Sequence, residues 1–322
     1  MHRTWLQLAA LIALAATAAI ATAQNYPARP IRLLVPFGPG GVGDITARVV
    51  AQKMSVTLGQ PVIIDNRPSA GGVVATELVA KAEPNGYTLL LLNNSHAISQ
   101  SLFRKLPYDT AQDFVPISTL STFSVVVLVA PDSTIRSVKE LIARAKSSPG
   151  KLTVATIQIG STQHLAAELF KAMAGIDVVN VPFTNTGAVL TALRGNNVQV
   201  AFEITAPVIG QIKGGGMRAL AVSPATRFPG LPDVPTVAEA GVPGYQVTSW
   251  NGIAAPAKTP KAIVNVLSKA IIEGVNAAVV RQRFQELGAE ARSATPEAFR
   301  DFYAAEIAKW SKVIKGAGIP LQ

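Results

Sequence analysis

Short apolar runs alternate with longer amphipathic stretches along most of this chain, as strands and helices do when they follow one another. The strand-like runs are Ile31 to Phe37, Val62 to Asp65, Tyr87 to Leu92, Val125 to Ala130, Leu152 to Thr156, Val178 to Val181, Val198 to Phe202 and Arg218 to Val222. Helical periodicity fills most of the gaps, which predicts an α/β fold with largely parallel sheets. The alternation breaks twice. From Asp113 to Ala130 two strand-like runs, PISTL and SVVVLVA, stand back to back, and Phe228 to Pro256 is irregular. Two such breaks predict that the chain crosses twice between lobes, with residues 24–123 and 246–322 in the first lobe and 124–245 in the second. From Pro260 to Gly316 three helices are expected to pack back on the first lobe, the last opening near Pro296 with Thr295 as its N-cap.

Ile31 to Asp44, IRLLVPFGPGGVGD, carries the first chemical signal, because an apolar strand enters a glycine turn and reopens as the helix ITARVVAQKM. Glycines let a ligand approach the backbone, and the first helical turn leaves amide NH groups at the positive end of the dipole. The expected occupant bears a carboxylate or phosphate. Gly38, Gly40 and Gly43 also fit G-x-G-x-x-G, and Asp65 ends the next apolar run at about the spacing of a dinucleotide fingerprint. An NAD(P)-dependent oxidoreductase is therefore the alternative reading. Against it, Pro39 removes a donor from the turn, and the N-terminus points to export.

Residues 1–23 carry Arg3, an apolar run from Leu8 to Ile20 and the small residues Ala21 and Ala23 ahead of Gln24, which is the pattern of a cleaved secretory signal. The apolar run is shorter than a membrane-spanning helix requires. No cysteine is present, so disulfides, thiolate metal sites, cysteine nucleophiles and a lipid-bearing cysteine are excluded. An exported chain without disulfides fits a bacterial periplasm, and a soluble mature protein is expected there. The formal charge is +10, yet lysines and arginines are scattered without blocks or interleaved aromatics, so no nucleic-acid partner is expected. His96 and His164, the two histidines outside the leader, lack metal-ligand spacing, and neither a metal nor another cofactor is expected.

Seven strings occur in order: IRLLVPFGPGGVGDITAR, VIIDNRPSAGG, PNGYTLLLLNNSHAI, GSTQHLAAELF, GNNVQVAF, MRALAVSPATRFPGLPDVPTVAEAG and WNGIAAPAKTP. Together they resemble the Bug-type solute-binding receptors of tripartite tricarboxylate transporters over essentially the whole mature chain. The resemblance implies a type II periplasmic-binding-protein fold. Two α/β lobes joined by crossover strands would close on a small carboxylate and hand it to membrane permease subunits, the receptor being a monomer and not an enzyme.

The site is expected beyond the carboxyl ends of the strands, between one glycine loop from each lobe. The first loop offers Phe37, Gly40, Gly41 and Asp44; for Asp44 the structural role of a carboxylate beside the helix dipole comes first, and a direct role would need a ligand ammonium or a bridging water. Ser95 and His96 follow the third strand and are placed near the cleft mouth, although for His96 and His164 alike the commoner fate of an isolated histidine is a satisfied interfacial position. In the second loop Thr156, Gly160, Ser161, Thr162 and His164 surround a helix start that Ser161 is positioned to cap. Glu203 stands where the family carries an acidic residue at the cleft edge. The segment Val181-Pro182-Phe183-Thr184-Asn185 lacks the lysine and tyrosine that relatives tend to have, which shifts the expected ligand from a tricarboxylate toward a mono- or dicarboxylate, including aromatic acids. No G-x-S-x-G elbow supports a hydrolase, and no helix-turn-helix precedes the domain.

Overall fold

The computed structural model describes residues 26–321 apart from Gln158 and Ala317, so the signal segment and its cleavage after Ala23 lie outside the described residues. Ten strands are seen: β1 (Ile31–Val35), β2 (Val62–Asn66), β3 (Thr88–Asn93), β4 (Phe114–Val129), β5 (Thr153–Ile157), β6 (Val179–Phe183), β7 (Val200–Ile204), β8 (Arg218–Val222), β9 (Thr248–Pro256) and β10 (Ala289–Ala291). They form a curled sheet in the order β2-β1-β3-β9-β4-β7-β5-β6, with β8 and β10 also pairing β4. Around it lie α1 (Val42–Leu58), α2 (Val73–Ala80), α3 (Asn94–Leu102), α4 (Val138–Ser147), α5 (Thr162–Ala174), α6 (Thr186–Arg194), α7 (Thr205–Lys213), α8 (Lys261–Asn276), α9 (Ala278–Glu286) and α10 (Pro296–Gly316). Among the described residues no single helix is long and apolar enough to cross a membrane.

β2, β1 and β3 run parallel, as do β6, β5 and β7, while β9 and β4 run antiparallel to their neighbours. The uninterrupted apolar run of β3 is explained by burial on both faces. Leu89 and Leu91 join Ile31, Leu33 and Val35 under α1 and α8, whereas Leu90 and Leu92 join Leu34 under α2, α3 and α10. In β4, Val125, Val127 and Val129 belong to that second cluster, and Val126 and Leu128 to a third one with Val189 and Val208.

Two expectations are corrected here. The runs PISTL and SVVVLVA are one sixteen-residue strand, β4. Pro116 has no NH to give the ladder, and the register against β9 shifts between Pro116 and Ser118 to accommodate it. The buried serines that break the apolar pattern are satisfied, as where Ser121 Oγ donates to Asn251 Oδ1 at 2.6 Å. Ser124 is the last residue of β4 paired with β9, and Val125 the first paired with β7.

The stretch Phe228 to Pro256, read as irregular, ends in the central strand β9. Gly252 disguises it, and the structure shows why a glycine is needed: a Cβ there would stand 2.4 Å from the Phe299 ring. The three tail helices are present. Thr295 Oγ1 accepts the Ala298 NH at 3.2 Å ahead of α10, and α8 packs on α1 while α10 packs on α3 and β4.

Candidate functional site

Beyond β1 the chain turns through Pro36 to Gly41 and enters α1. Gly41 supplies no side-chain cap, so the first-turn amides of this helix are left without one. A Cβ at Gly38, Gly40 or Gly41 would meet nothing within 4 Å, so this face of the loop is open.

Asp44 does not face that opening. It is 2% exposed, its Oδ2 accepts the Gly40 NH and Arg48 Nε at 2.9 Å each, and its Oδ1 accepts Asn66 Nδ2 at 2.8 Å. Burial alone would raise its pKa. The hydrogen bonds from Arg48, Gly40 and Asn66 outweigh burial and hold the carboxyl below its ordinary range.

The Gly40 NH is therefore occupied by Asp44 and is not the ligand donor that the sequence suggested. Asn66 Nδ2 also donates to Phe37 O at 2.9 Å, tying the loop to the end of β2. The Phe37 ring is 37% exposed and lies over Gly43, where a Cβ would sit 3.0 Å from it. Asp65, the residue that completed the dinucleotide fingerprint, pairs with both Arg32 and Arg67. In this fold Gly40, Gly43 and Asp65 all serve protein contacts.

Of the two readings of His96, the structure has the satisfied buried histidine. It is fully buried in a capping box at the start of α3. The Asn93 NH donates to Nδ1 at 3.1 Å, which leaves the ring proton on Nε2 facing Thr76 Oγ1 at 2.9 Å. Burial pulls its pKa down to about 4. Ser95 donates its NH to Asn93 Oδ1 at 2.7 Å as part of the same cap.

The second loop follows β5. Ser161 Oγ accepts the His164 NH at 3.1 Å and donates its proton to Ile157 O at 2.8 Å, so this hydroxyl is a helix cap whose one proton is already given to the protein. Gly160 adopts φ +84°, and a Cβ there would lie 3.1 Å from Leu102 of α3. Thr162 Oγ1 lies 3.3 Å from Ser249 Oγ of β9. The loop thus touches α3 and β9 across the sheet. His164 is buried 4.0 Å from Glu168, and burial lowers its pKa against the opposing effect of that carboxylate. It also borders a cavity of about 270 Å³ shared with Ile159 and the tail residues Gly318 to Pro320. Thr156 is fully buried with its hydroxyl unpartnered.

Glu203 is the penultimate residue of β7, and Gln163 Nε2 donates to its Oε1 at 2.9 Å, joining it to the second loop. No hydrogen bond joins the first loop to the second among the described residues. The strand-end segments that carry these candidates, 36–45, 93–96, 156–164, 183–187 and 203–205, contain only two carboxylates and no lysine or arginine. Their donors are backbone amides, amides of Asn and Gln, hydroxyls and the imidazoles of His96 and His164. Among the described residues no three His, Asp or Glu side chains converge as a metal site. Sequence reasoning missed Asn66, Gln163, Thr186 and Ser249, which lie beside the named residues but belong to no chemical motif.

The comparisons agree with this architecture. Protein BugT of Bordetella pertussis is 37% identical over 324 residues, covering 100% of this chain and 99% of its own. The structure of R. palustris Rpa4515 with adipate matches with a TM-score of 0.84 at 34% identity, covering 92% of this chain and 100% of that one. MatC from Rhodopseudomonas palustris with bound malate matches with a TM-score of 0.80 at 33% identity, over 90% of this chain and 100% of that one. The TctC family model, tripartite tricarboxylate transporter family receptor, matches residues 46–319. By fold, by sequence over its whole length and by the family model, this chain belongs to the TctC/Bug family of periplasmic solute-binding receptors.

Proposed function

We propose that this chain is the exported solute-binding subunit of a tripartite tricarboxylate-type transporter, capturing a small mono- or dicarboxylate and delivering it to the membrane permease. The observation that carries the reading is the pair of strand-end loops, one after β1 and one after β5, each opening a helix with free first-turn amides or a hydroxyl cap and with no cation. Such a site solvates a carboxylate with neutral donors. It suits one or two negative charges better than three, and the adipate and malate bound by the two similar proteins are of that class.

Residues 24–123 and 246–322 form one lobe in this reading and 124–245 the other. The exchange of β4 partners at Ser124 and Val125 supports that division. The ligand sits between the lobes, held from one side by Phe37 and the Gly41 region and from the other by the 156–164 loop. Contact with both lobes is what lets a ligand favour the closed state.

Thermal unfolding of the mature protein tests the proposal. Adipate, malate and benzoate form one arm, NAD and NADP the other. A ligand at a hundredfold excess over its dissociation constant stabilises the fold by about 2.7 kcal/mol. Stabilisation by carboxylates alone supports the receptor reading; stabilisation by the nicotinamide cofactors alone overturns it.

A further inference from the structure

At the carboxyl end of β7 one side chain has no explanation within the protein. Glu203 is 1% exposed. Its Oε1 accepts Gln163 Nε2 at 2.9 Å and the Ile204 NH at 2.8 Å, while Oε2, also buried, has no partner. The group lies by the first turns of two helices, since Gln163 is in the first turn of α5 and Thr186, which is close to the carboxyl without a hydrogen bond to Oε2, opens α6. One strand away the buried Thr156 hydroxyl is a second polar group without a partner. A native interior leaves few such groups, and those it leaves call for a reason.

Among the described residues no cation compensates the carboxyl. The elements packed against β7 are β4, β5, α5, α6 and α7. Neither strand carries a titratable residue. On α5, His164 and Glu168 face each other at 4.0 Å and Lys171 pairs with Asp177 at 3.6 Å. Arg194 stands at the far end of α6 and bonds Gln211 Oε1 at 2.6 Å, and Lys213 is the last residue of α7. An ionised Glu203 would bury a negative oxygen with neither donor nor counter-charge, which is strongly unfavourable. A protonated Glu203 leaves a donor that lacks only an acceptor.

We propose that Glu203 is a neutral hydrogen-bond donor in the ligand site, its Oε2–H directed to an oxygen of the bound acid. The inference rests on the receptor reading and narrows it: the ligand presents an acceptor oxygen to Glu203, not an ammonium, so the chain selects acids without an amine at that position. Burial raises the carboxyl pKa against the opposing effect of Gln163, Ile204 and the nearby Thr186, in the sense the geometry requires. The proton is already present in the free protein, and no charge has to move when the acid binds.

The first test needs no ligand. With glutamate carboxyls labelled with 13C, the Glu203 signal is assigned by its loss in Glu203→Gln and followed against pH. It is expected to stay in the protonated position where the other glutamates have ionised, and to stay there when adipate is added. Titration together with the other glutamates, or ionisation on adding adipate, overturns the proposal.

The second test is calorimetry with adipate and malate. Glu203→Leu should weaken binding about tenfold, and Glu203→Gln, which restores a neutral donor, should recover most of that loss. If Gln is as weak as Leu while both are folded by circular dichroism, the donor role is wrong. Tight binding of an amino-bearing acid such as aspartate, with ionisation of Glu203, overturns the selectivity. If no carboxylate binds the parent chain, the receptor reading itself fails, and that result is separate from the carboxyl titration.

Discussion

Both carboxylate oxygens of Asp44 are taken by protein donors, and three separate segments meet there: the glycine loop at Gly40, helix α1 at Arg48 and the end of β2 at Asn66. Removing the side chain as Asp44→Ala leaves these donors unmatched, and a loss of about 1 to 3 kcal/mol is expected in urea unfolding. Gly41→Val asks a different question. Its Cβ has open space within the protein and Gly41 has an extended φ of −75°, so the variant should fold with near-parental melting yet lose carboxylate binding, because the added branch fills the space that the proposed site assigns to the ligand. Unchanged affinity in calorimetry would move the ligand away from this loop.

His96 supplies a pH prediction with a definite sign. Its folded pKa, about 4, lies below the ordinary histidine value, so between those limits the unfolded chain binds a proton that the native state refuses. Stability therefore falls as pH drops, by roughly 3 kcal/mol when complete. His96→Gln should remove that pH-dependent part in a comparison of urea unfolding at about pH 7 and about pH 4.

Among the elements, α5 shows how a cap and a ligand donor look alike in sequence. Ser-x-x-His before an apolar run predicts a capped start, and Ser161 does cap it, but the hydroxyl proton goes to Ile157 O. Ser161→Ala should accordingly cost about 1 kcal/mol of stability with only a minor change in carboxylate affinity, read by melting and calorimetry on the same samples. Strands β1, β3, β5 and β7 were legible because they are apolar on both faces. β9 was not, because Ser249, Asn251 and Gly252 answer to partners far along the chain: Thr162, Ser121 and Thr46, and the Phe299 ring. The proline and serines of β4 hid its continuity for the same reason.

For the whole molecule the joint between the tail and the sheet centre is Glu306 of α10. It is 7% exposed, and Trp250 Nε1, Trp310 Nε1, Asn94 Nδ2 and Lys309 Nζ all donate to it. Asn94 in turn accepts the Trp250 NH at 2.7 Å, so α10, α3 and β9 are held at one carboxylate. Glu306→Ala strands several buried donors, and a loss of about 3 kcal/mol or more is expected in chemical unfolding, with the near-ultraviolet signal of the tryptophans altered. Nothing near Glu306 in sequence except Lys309 and Trp310 announces this joint, since its other members lie at least 50 residues away in the chain.

The sequence by itself determined the alternation of strand and helix, the two glycine loops, the capped start of α5, the three tail helices and the family. These rest on local patterns, in which periodicity, caps and turn residues act within a few positions of each other. Tertiary structure alone decided that β4 is a single strand with different partners for its two halves, that Asp44 and His96 look inward, and that Glu203 keeps an unpartnered oxygen. Each of those depends on which distant groups arrive to take up a hydrogen bond or to exclude water, and a buried polar atom takes its role from the partners that three-dimensional packing brings to it.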